Sequence, residues 1–145
     1  NKVVIPMSQN LAPAKVLIVD DQPDIQLVTK MSLRRLEWNG LPLDLHLADS
    51  GAAAIEYVQQ HPDIRVVLMD VVMEHDRAGL DAILKIHEAH PRIQLIVQTG
   101  QAALLSEHEV IRAYPIINYL SKGADSSQRV GSMVLLALKN YERLA

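Results

Sequence analysis

Cysteine is absent from this sequence, which excludes disulfide cross-links and thiolate metal sites and fits a reducing compartment. The expected location is the cytoplasm. Also missing is any apolar run approaching the roughly 18–20 residues that cross a bilayer. The longest runs stop at an Asp or a Gly after the length of a β-strand, so no membrane association is expected. Basic residues number 14 against 17 acidic ones, for a net charge of −3 and a pI near 6.0. They are scattered, leaving no electrostatic footprint for direct nucleic-acid contact. What is present is 145 residues, 49% hydrophobic and 21% charged, enough for one domain with a proper core and too few for two. Asn1–Pro6 reads as an added stretch ahead of a start at Met7. Residues 1–14 are expected to form an N-terminal extension to a domain over residues 15–145.

Strand-like apolar runs alternate with helix-period segments along the whole chain. AKVLIVDD is followed by PDIQLVTKMSLRRLEW, where Ile25, Val28, Met31 and Leu36 recur at near-helical spacing and Pro23 sits where a first turn tolerates it. LPLDLHLADS alternates Leu41, Leu43, Leu45 and Leu47 with polar residues. The helix after it starts at Ser50, a good N-cap, and stops before Pro62. DIRVVLMD and RIQLIVQTG are unbroken apolar strands, and between them AGLDAILKIHEAHP places Leu80, Ile83 and Leu84 on one helical face. QAALLSEHEVIRAYP, IINYLSKG and SSQRVGSMVLLALKNYERL complete five strand–helix pairs, the pattern of an α/β parallel sheet covered on both faces. Strands one, three and four are apolar throughout, whereas strand two alternates, so strand two belongs at an edge. The (βα)5 doubly wound order 2-1-3-4-5, flavodoxin-like, satisfies this and the right-handed crossover rule.

In such sheets chemistry sits beyond the carboxyl ends of the strands. Strand one ends in Asp20 and Asp21, strand three in Asp70, strand four in Thr99 followed by Gly100, and strand five in Ser121 and Lys122. Each alone reads as a helix cap or an ordinary loop residue. Together, at four strand ends of one fold, they converge on one pocket. Adjacent carboxylates about 4–5 Å apart repel by roughly 3–4 kcal/mol at an effective dielectric of ~20, so a cation is the expected compensation. An oxygen-only set of carboxylates favours a hard ion, and a small half-hydrated site suits Mg²⁺. An Asp carboxylate can also attack phosphorus to give an acyl phosphate, and Asp70, on the central strand, is best placed to do so.

VLIVDDQPD, LMDVVM, VQTG and YLSKG resemble the marks of the response-regulator receiver family of two-component signalling, from about Lys15 to Leu144. The 50-residue gap from Asp20 to Asp70 and the 23-residue gap from Thr99 to Lys122 are close to that family's spacing. The resemblance implies that Asp70 is the phosphoacceptor and that Asp20 and Asp21 hold Mg²⁺ with a backbone carbonyl near Val72. It implies that Lys122 pairs with the phosphoryl oxygens, that Thr99 is the switch hydroxyl, and that Tyr119 is the aromatic that moves as Thr99 engages. The implied partners are a sensor histidine kinase or phosphotransfer protein and a downstream output domain or effector, met through helix four, strand five and helix five. That same surface forms homodimers in the family. Two departures stand out: the usual Pro four residues after the acceptor and the usual Pro after the lysine are Glu74 and Gly123, and EHDRAGL is about one residue longer than the common loop. DVVMEHDRAGL, QTGQ and the connector RRLEWNGLPLDL are more similar to receivers at the front of larger regulators, some with cyclic-dinucleotide phosphodiesterase output.

Two other readings compete with a phosphorylatable receiver. A haloacid-dehalogenase-type phosphatase also uses a strand-end Asp and Mg²⁺, but its second Asp two residues after the nucleophile is replaced by Val72. A receiver-like interaction module that is never phosphorylated would not need the intact set of Asp20, Asp21, Asp70, Thr99 and Lys122. Other motifs read as structural. His87 and His90 lack a third ligand and belong to a solvated helix end, His75 to a surface loop. Val130, Met133, Val134, Ala137 and Tyr141 form the apolar stripe that every outer helix of this fold must bury.

Overall fold

The apolar runs pair into a sheet because strands buried on both faces can satisfy their backbone groups only through neighbouring strands. In the computed structural model, which describes residues 12–71, 78–99, 106–121 and 126–145, the chain order is β1 (Lys15–Val19), α1 (Pro23–Leu33), β2 (Glu37–Trp38), β3 (Leu41–Pro42), β4 (Asp44–Ala48), α2 (Gly51–Gln60), β5 (Ile64–Asp70), α3 (Ala78–Ala89), β6 (Gln94–Thr99), α4 (Glu107–Ala113), β7 (Asn118–Ser121) and α5 (Ser126–Arg143). The main sheet is parallel, in the order β4-β1-β5-β6-β7. Apart from the small β2–β3 pair, this is the doubly wound order expected from the sequence, with β4 at the edge. Its edge position shows in its burial: of its five residues Ala48 alone is buried, and Leu47 is exposed. Hydrogen bonding begins before β1, where the Ala14 carbonyl accepts from the Asp44 N–H at 2.8 Å.

Period-2 alternation divides the strand side chains between two cores. Leu17, Val19, Val67, Met69, Leu95 and Val97 meet Ala54, Val58, Leu80, Ile83, Ile86 and Val110 of α2, α3 and α4. Val16, Ile18, Val66, Leu68, Ile96 and Leu120 meet Leu33 of α1 and Val130, Met133, Val134, Ala137 and Leu138 of α5. Each large side chain so buried contributes about 1.5–3 kcal/mol. Four residues of the stripe on the last helix are therefore core, as its spacing implied, while the fifth, Tyr141, is only partly buried. Among the described residues no helix is long and apolar enough to cross a membrane.

Three local expectations are corrected. α1 ends at Leu33, and the face it buries carries Thr29 and Leu33, while Val28 and Met31 stand about half exposed beside Leu27. Apolar residues occupy more than one side of this helix, and the Thr29–Leu33 seam wins the contact with α5 and β1. Leu84 is likewise exposed, since Leu80, Ala82, Ile83 and Ile86 already fill the inner face of α3. The connector after α1 is not helical as far as Trp38. It folds as the β2–β3 hairpin around Asn39 (φ 56°) and Gly40 (φ 81°), the two consecutive left-handed residues that a type I′ turn requires.

That hairpin is tied to the end of α5. One carboxylate oxygen of Glu142 accepts from the Trp38 indole N–H (2.9 Å) and the Asn39 amide (3.3 Å), and the Arg65 guanidinium lies 3.5 Å from it. Its neighbour Tyr141 lies under the Arg92 guanidinium, 3.8 Å from the ring centroid, while Arg92 Nε donates to the Tyr141 carbonyl. Asn140 donates to the Gln94 side chain at 2.7 Å. Consecutive residues of the last turn thus grip the starts of β5 and β6 and the hairpin.

Candidate functional site

The carboxyl ends of the five strands lie level because the register makes them so. Val19 pairs with both Ala48 and Met69, Asp70 with Gln98, and Thr99 with Ser121. The residues that follow β1 and end β5 are therefore neighbours, and ligand oxygens of Asp20, Asp21 and Asp70 all lie within 4.8 Å of one another. Among the described residues this is the one such cluster of three metal-ligating side chains.

Burial grades the three acids. Asp20 is 4% exposed, Asp70 half-buried and Asp21 open to solvent. Asp20 is held through its carboxylate, its N–H and its carbonyl. Its Oδ1 accepts the Gln22 N–H at 2.9 Å, which spends one of the unpaired donors ahead of α1, whose N-cap Gln22 makes no side-chain cap and whose first turn begins with Pro23. Its own N–H donates to the Ala48 carbonyl at 3.0 Å. The carbonyls of Asp20 and Ala48 both accept from the side chain of Gln26, at 2.7 and 2.9 Å. Sequence reasoning missed Gln26, because a side chain bridging two backbone carbonyls has no spacing signature.

On the next strand Thr99 is buried, 3% exposed, one register step from the end of the acidic cluster. Tyr119 pairs with Val97 and packs inward among the core residues facing α4. Burial, and secondarily the nearby Glu107 carboxylate, push its phenol up from 10.0. A proton held more tightly in the native state than in the unfolded chain gives stability that is full below about pH 10 and is lost as pH rises beyond it. In an alkaline absorbance titration Tyr119 should ionise at a higher pH than free tyrosine, and Tyr119→Phe should flatten the fall in stability at that end. An unchanged slope in the variant would place the alkaline loss elsewhere.

α4 starts on a built cap. Ser106 accepts from the Glu109 N–H, and Glu109 returns the bond to the Ser106 N–H at 2.8 Å. The Ser106 N–H, and after it the Ser106 hydroxyl, hold the Glu109 carboxyl below its usual range, and the reciprocal cap fixes the first turn of the helix that leads from Thr99's side of the sheet towards β7. Val72 and Lys122, expected to complete the metal and phosphoryl contacts, lie outside the described residues, as do Glu74, His75, Gly100 and Gly123.

The family whose sequence pattern matches is described as the response regulator receiver domain, over residues 16–131. The 3'3'-cGAMP-specific phosphodiesterase 2 of Vibrio cholerae is 33% identical over 134 residues, 91% of this chain and 26% of its own length. The response regulator protein PilR of Pseudomonas aeruginosa is 29% identical over 125 residues, 86% of this chain and 26% of its own length. The chain thus spans about a quarter of these curated relatives. Among solved structures, a response regulator receiver domain protein from Clostridium thermocellum superposes with a TM-score of 0.77 at 22% identity, covering 91% of this chain and 99% of the other.

Proposed function

Because this chain belongs to the response regulator receiver family, we propose that the Asp70 carboxylate accepts a phosphoryl group from the phosphohistidine of a sensor histidine kinase or phosphotransfer protein. A carboxylate oxygen forms the new phosphorus–oxygen bond as the phosphorus–nitrogen bond to the donor imidazole breaks, and the bonding electron pair leaves with that ring nitrogen. The observation that carries the reading is the meeting of Asp20, Asp21 and Asp70 within 4.8 Å at the level where Thr99 ends the next strand.

An oxygen-only trio of carboxylates, one of them buried, fits Mg²⁺. Asp20, Asp21 and Asp70 would hold it with the Val72 carbonyl. When bound it neutralises charge on the transferring group. The chain's own residues do the rest: Asp20, pinned through Gln22, offers a fixed oxygen, and Lys122 pairs with the phosphoryl oxygens. Thr99 donates its hydroxyl to them, which biases β6, β7 and Tyr119 towards a second arrangement of the α4–β7–α5 surface. The domain is a phosphoacceptor whose own chemistry is Mg²⁺-assisted phosphorylation and dephosphorylation. It works in the cytoplasm, and its output lies in further domains or an effector. A phosphodiesterase among the relatives fits that division of labour.

Intact-mass spectrometry after incubation with acetyl phosphate tests this. One hydroxylamine-labile phosphoryl group per chain is expected with Mg²⁺ and none with a chelator. Acetyl phosphate turnover without an adduct would favour a phosphatase. Neither adduct nor turnover would favour a module that only binds partners.

A further inference from the structure

Gln26 is not one of the acids, yet its side chain is built into the backbone that carries Asp20. It lies in the first turns of α1, where its backbone N–H makes the opening helical bond to the Gln22 carbonyl at 3.0 Å. Its side-chain Nε2 reaches back to the carbonyls of Asp20 (2.7 Å) and Ala48 (2.9 Å). Both acceptors are carbonyl oxygens, which fixes the orientation of the amide: the NH₂ end must face them, one N–H to each. These carbonyls stand where the β1–β4 ladder ends. Asp20 N–H to Ala48 is its last rung, and the chain then turns away into two helices. Gln26 gives the Asp20 carbonyl a donor of the kind that a longer strand would have provided, and adds a second donor to the Ala48 carbonyl.

We infer that Gln26 is a positioning residue for the metal and phosphoryl site: by holding the Asp20 peptide it presents the acidic pair in binding geometry before any cation arrives. This rests on the reading of Asp20, Asp21 and Asp70 as a Mg²⁺ site. Like charges brought within 4.8 Å push apart unless the backbone beneath them is restrained. Restraints on Asp20 include the Gln22 N–H on its carboxylate, the ladder bond from its own N–H to Ala48, and Gln26 on its carbonyl. Partners of this outer kind typically govern metal affinity by about 10–100-fold. Gln26 brings no charge, so any influence it has is geometric.

The test is a Mg²⁺ titration followed by backbone amide NMR, on the wild type and on Gln26→Met, Gln26→Ser and Gln26→Glu, well below each melting temperature. Met keeps the length without donors. Ser leaves room for water to satisfy both carbonyls, so the fold is kept while the bridge is lost. Both are expected to weaken Mg²⁺ binding about 10-fold or more, and in the metal-free state the Gln22 amide should shift and exchange faster as its bond to Asp20 loosens. Gln26→Glu adds a negative charge but cannot donate, and is also expected to bind Mg²⁺ more weakly. Unchanged affinity in Met and Ser, or tighter binding in Glu, overturns the inference while leaving the metal site standing. Absence of Mg²⁺ binding by the wild type overturns both.

Discussion

Asp70→Asn is expected to carry no phosphoryl adduct after incubation with acetyl phosphate and Mg²⁺, under conditions where the wild type is labelled. The amide keeps the volume of the carboxyl at the end of β5 and removes the nucleophilic oxygen, so the loss is complete rather than graded. The fold should not suffer. Asp70 is half-buried at the sheet's rim, and the substitution removes one of three like charges whose oxygens lie within 4.8 Å, so metal-free melting should be unchanged or higher. Intact mass before and after hydroxylamine, with a thermal melt of the same sample, reads both halves. A hydroxylamine-labile adduct persisting in the variant would move the acceptor to another residue, and a collapsed melt would mean that Asp70 is structural.

Gly51→Val should cost about 1–3 kcal/mol, the usual range for overpacking a filled interior, which in a chain of this size is about 3–10 °C of melting temperature. Gly51 opens α2 at the crossing with α3. A Cβ there would sit 2.9 Å from the Ala78 carbonyl oxygen and 3.1 Å from Ala82 Cβ, and the backbone oxygen cannot rotate away. Replacing a helical glycine normally gains a few tenths to ~1 kcal/mol in propensity, too little to offset a clash that must separate two helices. Gly79 provides the internal control, since a Cβ there meets nothing closer than 3.5 Å, and Gly79→Ala should melt at or a few degrees above the wild type, by the propensity gain alone. Equal melting of Gly51→Val and the wild type would mean that the first turn of α3 yields freely.

The sheet was legible because its strands obey the simplest rule of burial. KVLIV, VVLM and LIV need no context to be placed in a core, and the alternation of β4 marked it as half covered. The Asp20, Asp21, Asp70 and Thr99 positions followed from strand ends alone, since level ends in a parallel sheet gather what they carry. Periodicity finds a helix but not its seam when apolar residues lie on two sides, which is why Val28, Met31 and Leu84 were expected inside and stand outside. The hairpin at Asn39–Gly40 was missed because its strands span two residues each, too short for any period to register, although such a pair favours a two-residue turn. Gln26 was beyond reach for a different reason: its partners are backbone carbonyls, identical at every position until the fold selects two of them.

The grip of Asn140, Tyr141 and Glu142 on the starts of β5 and β6 gives the domain a fixed end and a free end. Arg65 and Asp70 ride on the same strand, five residues and therefore roughly 17 Å apart, one at the clamp and the other in the acidic cluster. β5 is flanked by β1 and β6 on either side, so it behaves as a stiff beam built into a wall at its amino end. A new charge at the tip of such a beam has little power to bend it. In the switch proposed above, the change is carried instead by the far ends of β6 and β7 and the α4 side of that surface, while the last turn of α5 and the hairpin, tied to the starts of β5 and β6, supply the stationary frame against which a partner can measure it.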